Sequence, residues 1–186
     1  MNFAEYNVKD ANLEEILLAL KSLDTVEAVA LGGSRSTGAN DENSDYDIYV
    51  YCAEIPTAET RENLLGKYCS IAEFGNHYWE SEDNTVMNNG IPVDIIYREV
   101  DRFGRYIDTV IKGGKAFNGY TTAFWHNIKN SKVLFDKTGT FTKFRDMAQI
   151  DFPENLRSAI IKNNRNLLNG KLPSYDRQIK KAQDLS

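Results

Sequence analysis

Two stretches decide how this chain folds: Leu31-Gly32-Gly33-Ser34-Arg35-Ser36-Thr37-Gly38 and, further on, Ser44-Asp45-Tyr46-Asp47-Ile48. Just before the first, Val26 to Leu31 is a short apolar run ended by two glycines, the pattern of a buried strand. Small and polar residues from Gly32 to Ser44 predict a loop with a single helical turn. From Asp45 to Cys52 the pattern alternates. Tyr46, Ile48, Val50 and Cys52 face one way, and Asp45, Asp47, Tyr49 and Tyr51 the other. Asp45 and Asp47 therefore leave one face of a strand, about 6.6 Å apart along the backbone.

Outward from this centre, Val8 to Leu23 reads as a helix, with Leu13, Ile16, Leu17 and Leu20 at helical spacing and Asp10 placed as its cap. Pro56 to Cys69 is helical, His77 to Asn88 a weakly patterned strand pair, and Ile91 to Tyr97 a strong strand. Past Glu99 the texture becomes helical: Arg102 to Ile111, Thr122 to Asn130, Phe141 to Ala148, Pro153 to Leu168 and Tyr175 to Leu185. The expected fold is α/β (α+β), a mixed β-sheet flanked by helices over residues 1–99, followed by a helical C-terminal region over 100–186. A helical region that small lacks a core of its own, so it is expected to pack on the sheet or on a second copy, as in a homodimer.

The 186 residues carry 22 Lys and Arg against 27 Asp and Glu, a net charge of -5. That balance argues against a nucleic-acid partner, which phosphate neutralisation would equip with a basic track. Cys52, Cys69, His77 and His126 form neither a disulfide framework nor a zinc motif. The opening Met-Asn-Phe-Ala-Glu-Tyr lacks the order of a signal peptide, and no apolar run approaches the roughly 20 residues that span a bilayer. The expectation is a cytoplasmic protein with no membrane partner.

If Ile91–Tyr97 lies beside the Asp45–Cys52 strand, Asp94 comes within about 4.8 Å laterally of the other two acids. Such carboxylates repel, on the order of 4 kcal/mol for one pair at about 4 Å and an effective dielectric of about 20. An oxygen-only cluster of this kind suits magnesium, with manganese as a substitute. Gly32 and Gly33 permit close backbone approach, and Ser34 offers a hydroxyl and an amide to phosphate oxygens. An acid-x-acid pair alone means little, because 27 acids in 186 residues supply about four by chance. The joint pattern is far rarer.

Gly33-Ser34, a ten-residue gap, Asp45-Tyr46-Asp47 and the distal Asp94 together resemble the DNA polymerase beta-like nucleotidyltransferase superfamily. The string Gly-Ser-Arg-Ser-Thr-Gly followed by Ser-Asp-Tyr-Asp is similar to its bacterial small-molecule members, the aminoglycoside and lincosamide nucleotidyltransferases. The resemblance covers about residues 25 to 100, with Val133-Leu134-Phe135-Asp136 and Gly139 a weaker echo beyond. It implies that Asp45, Asp47 and Asp94 are catalytic and hold two magnesium ions, one arriving with the nucleoside triphosphate. AMP would pass from ATP to a hydroxyl of a small molecule such as an antibiotic, and pyrophosphate would leave. Gly33, Ser34 and Arg35 would bind the nucleotide, Arg35 with Lys112 or Lys115 would neutralise the pyrophosphate, and Glu99 would serve as an accessory base. Two further readings stand beside this one: a minimal nucleotidyltransferase modifying a partner protein, as in toxin–antitoxin pairs, and a catalytically silent nucleotide-binding module. Tyr49, Tyr51, Trp79 and Trp125 are read as packing or interface residues.

Overall fold

Leu13, Ile16, Leu17 and Leu20 line the buried side of α1 (Ala11–Lys21), and Asp10 starts that helix by accepting from the N–H groups of Asn12 and Leu13. Burying each of those side chains contributes about 2 kcal/mol. The computed structural model describes residues 10–38, 44–117 and 121–168. The helix expected over Tyr175 to Leu185 lies outside them.

What α1 packs on is a sheet of six strands: β1 (Val26–Leu31), β2 (Tyr46–Cys52), β3 (Cys69–Asn76), β4 (Ser81–Met87), β5 (Pro92–Glu99) and β6 (Lys132–Asp136). Their spatial order is β3-β4-β5-β2-β1-β6. Only β2 and β5 run parallel; the other neighbouring pairs are antiparallel, so the sheet is mixed. Side chains alternate across it. Val29, Leu31, Ile48, Val50, Val93 and Ile95 join the α1 leucines in one apolar core on what we term the back face. A short helix, α2 (Gly33–Thr37), links β1 to β2, and α3 (Ala58–Leu65) follows β2 with Thr57 as its cap. After β5 come α4 (Val100–Ile107), α5 (Ala123–Asn130), β6, α6 (Thr140–Ala148) and α7 (Glu154–Leu168). The fold class is the expected one, α/β with helices flanking a mixed sheet.

Two strands differ from expectation. β3 begins at Cys69, where the pattern had suggested the end of a helix, because this strand is largely exposed and shows no alternation to betray it. The second half is also not purely helical: β6 pairs with β1 along the far edge of the sheet. The chain divides into two units. The first runs to Gly104 and includes Trp125–Gln149; the second comprises Arg105–Phe124 and the described residues after Gln149. In the second unit Tyr106 stacks on Phe117 and meets Phe124 edge-on.

Candidate active site

On the front face, β2 presents Asp47, Tyr49 and Tyr51 in succession. Parallel register sets Asp47 directly beside Asp94 of β5, and antiparallel register sets Asp94 beside Asn84 of β4. Adjacent strands lie about 4.8 Å apart, so the two carboxylates are immediate neighbours on one surface. Asp45 stands two residues earlier, in the approach to β2. Burial pushes the Asp47 carboxyl above the usual aspartate range, and the charges of Asp45 and Asp94 push it further. Asn84 donates to Asp94 Oδ1 at 2.9 Å. Among the described residues no three of His, Cys, Asp and Glu close into a ready metal-holding group.

The glycine pair does a job that the sequence did not reveal. Gly32 N–H donates to the Asp47 carbonyl at 2.8 Å, which brings the loop down onto β2. A Cβ on Gly32 would sit 2.4 Å from Tyr49 Cε2, and one on Gly33 would sit 1.8 Å from Asp47 Oδ2. Gly33 also has φ +60, a conformation that other residues rarely adopt. Each glycine thus clears one side chain of β2. Gly33 leaves the room in which the Asp47 carboxylate lies.

Gly32, Gly33, Ser34, Ser36 and Thr37 form one wall of a pocket of about 220 Å³, and His126, Asn127, Asn130 and Ser131 form the other. Asn127 donates to the Tyr49 hydroxyl at 2.9 Å, tying α5 to the front face. This α5 wall carries no motif and was not foreseen. Arg35 is already engaged: its Nε donates to the carbonyls of Ser44 and Asp45 at 2.8 and 3.0 Å, and its guanidinium lies 4.1 Å from the Tyr46 ring centroid. It fastens α2 to the lead-in of β2, beside Asp45.

Farther along the front face, Tyr51 is buried against Phe103, Phe141 and Phe144, and its hydroxyl accepts from Arg98 at 3.2 Å. Arg98 is itself buried and pairs with Glu80 at 2.7 Å. Tyr51 is therefore a packing residue. Trp125 is too, donating from Nε1 to the Ala148 carbonyl, whereas Trp79 is 80% exposed. Glu99 falls on the opposite phase of β5 from Asp94, so strand alternation turns it toward the other face. Lys112 and Lys115 lie in the second unit, where Lys112 pairs with Asp108 at 2.7 Å.

Comparison with known proteins gives a family match. The model of the nucleotidyltransferase domain family matches residues 13–117, more than half of the chain. No curated protein matches the sequence. Among solved structures, a toxin–antitoxin with AMP-PNP is similar at 16% identity and a TM-score of 0.42, over 93% of this chain and 98% of that one. A mutant of the toxin–antitoxin MntA–HpeT is similar at 15% identity and a TM-score of 0.41, over 95% and 100%. The Cid1 poly(U) polymerase is similar at 20% identity and a TM-score of 0.40, over 69% of this chain and 39% of its own.

Proposed function

The chain belongs to the nucleotidyltransferase domain family, and from that premise we propose that it moves AMP from ATP onto a hydroxyl of a small acceptor molecule. One observation carries the reading. Asp47 and Asp94 are forced side by side by strand register, and Asp47 is held above its usual pKa range by burial and by the like charges of Asp45 and Asp94. Carboxylates in that position call for a cation from outside the chain.

The donor set fits a hard divalent cation, being all oxygen with no His or Cys among it. Asp45, Asp47 and Asp94 would hold magnesium, which supplies charge neutralisation at the transferring phosphoryl group and acidifies the attacking hydroxyl. The chain's own part is placement. Gly33 admits the Asp47 carboxylate, Gly32 draws the loop onto β2, and Arg35 fixes the segment that bears Asp45. Ser34 and the backbone around Gly33 line the pocket in which the phosphates of the nucleotide would rest. At about 220 Å³ that pocket suits part of a nucleotide rather than the whole.

A protein acceptor is the second reading, favoured by the exposed Tyr78 and Trp79 between β3 and β4, 70% and 80% accessible. Exposed aromatics of this size are common at protein contacts. Incubation with ATP, magnesium and a panel of hydroxylated small molecules should yield an acceptor heavier by one AMP, together with pyrophosphate. An adduct found only on protein from a lysate selects the second reading. The absence of both magnesium-dependent ATP binding and any adduct refutes the proposal.

A further inference from the structure

A line of amides crosses the outer strands and ends at Asp94. Asn76, the last residue of β3, donates from Nδ2 to Asn84 Oδ1 at 2.7 Å, and Asn84 donates from Nδ2 to Asp94 Oδ1 at 2.9 Å. The order of the line fixes its polarity. With its oxygen accepting from Asn76, Asn84 must turn its NH2 toward Asp94, and flipping the amide would break both hydrogen bonds. An amide also differs from a lysine or arginine at this place. It restrains the carboxylate without setting a positive charge beside it.

The restraint has a chemical consequence. A free carboxylate can turn to offer both oxygens to one ion, but the hydrogen bond from Asn84 occupies a lone pair of Asp94 Oδ1 and restrains that turn. Magnesium demands small, near-octahedral geometry, whereas calcium is larger and readily takes both oxygens of a carboxylate. Resting on the reading that Asp94 helps hold a divalent cation, we propose that Asn84 is a positioning residue that locks Asp94 and sets the preference of the site for magnesium over calcium. Asn76 supports it by holding the Asn84 amide in its productive sense.

Calorimetric titration of magnesium and of calcium into the full chain with a non-hydrolysable ATP analogue tests this. In Asn84→Ala the magnesium affinity should fall about tenfold. Calcium affinity should change by less than about threefold, so the ratio of the two narrows. Asn76→Ala should narrow it in the same direction by a smaller factor, and it decides the matter should Asn84→Ala fail to fold. Equal weakening of both ions, or an unchanged ratio in a folded variant, overturns the proposal while leaving the proposed function intact. Asp94→Asn separates the two: if it leaves nucleotide-linked magnesium binding unchanged, the cation reading itself fails.

Discussion

Asp83 on the back face of β4 and Asp47 on the front face of β2 are both drawn out of water, and burial pushes both carboxyls above the usual aspartate range. Around Asp83, Arg61 and the Gly75 backbone oppose that push. Arg61 of α3 sits 3.3 Å away, the Gly75 N–H donates at 2.9 Å, and both residues of the pair are almost fully buried. Around Asp47 the neighbours compound it, since Asp45 and Asp94 bring more negative charge. On the back face the push is countered from within the fold; on the front face it is compounded, and the proposed cation would counter it. The same residue type, two strands apart on opposite faces of one sheet, is paired on one side and, on the proposed reading, chemical on the other.

Asp47→Asn should break that comparison most severely. Activity should fall about a thousandfold, the scale of losing a main electrostatic contributor to a transition state. Stability should move the other way. The Asp47 carboxyl titrates above its ordinary value of 3.8 in the fold, so its contribution is greatest at acidic pH and is lost as pH rises through the folded value. At neutral pH the metal-free Asp47→Asn protein should therefore melt higher than wild type, and magnesium should raise wild type more than the variant. Thermal melts with and without magnesium check both signs, and a variant that melts lower without metal would contradict this account.

Arg61→Met probes the other face. It strands Asp83 as a buried, unpaired charge, at a cost of about 3–5 kcal/mol and a fall in melting temperature on the order of 10 °C. Activity per folded molecule should hold. Replacing both partners, Arg61→Met with Asp83→Leu, should recover most of the loss, because a well-packed apolar pair has no charge to compensate. A double variant no more stable than Arg61→Met would show that the pair does more than balance charge.

Much of this was legible in the chain itself, and what was not has physical reasons. Alternation in Tyr46–Cys52 and the apolar run of β5 announced two central strands, and their parallel pairing then placed Asp94 beside Asp47. β3 escaped notice because an exposed edge strand takes its order from the ladder it shares with β4 rather than from its own pattern. β6 is only five residues long and sits between helices. Asn84 belongs to no motif; nothing short of the β4–β5 register brings it to Asp94. The glycines were visible as glycines, but their clearance of Tyr49 and Asp47 depends on how closely the loop lies on β2.

Gly33→Ala measures that closeness. The new methyl would collide with Asp47 Oδ2 in a backbone conformation that already disfavours it, so the carboxylate must shift. A displacement near 1 Å at reacting groups costs up to about a hundredfold. The expected loss in kcat is ten- to a hundredfold, with magnesium affinity falling alongside. Retained magnesium affinity would mean that Asp47 had not moved.

Arg35→Lys is the smallest expected effect and the most discriminating one for the loop. The arginine serves two carbonyls, of Ser44 and Asp45, through a planar fork while its face lies on Tyr46. Lysine keeps the charge but can reproduce neither the fork nor the stacking. If Arg35 works by fastening the segment that carries Asp45, kcat should fall by about threefold to tenfold and KM for ATP should stay within about twofold. If its charge instead met the phosphates, lysine would largely preserve kcat, and removing the charge in Arg35→Gln would raise KM for ATP far more than Arg35→Lys does. Steady-state kinetics of the two variants, read as a kcat-against-KM split, decides whether this residue belongs with the self-contained contacts of the back face or with the open chemistry of the front.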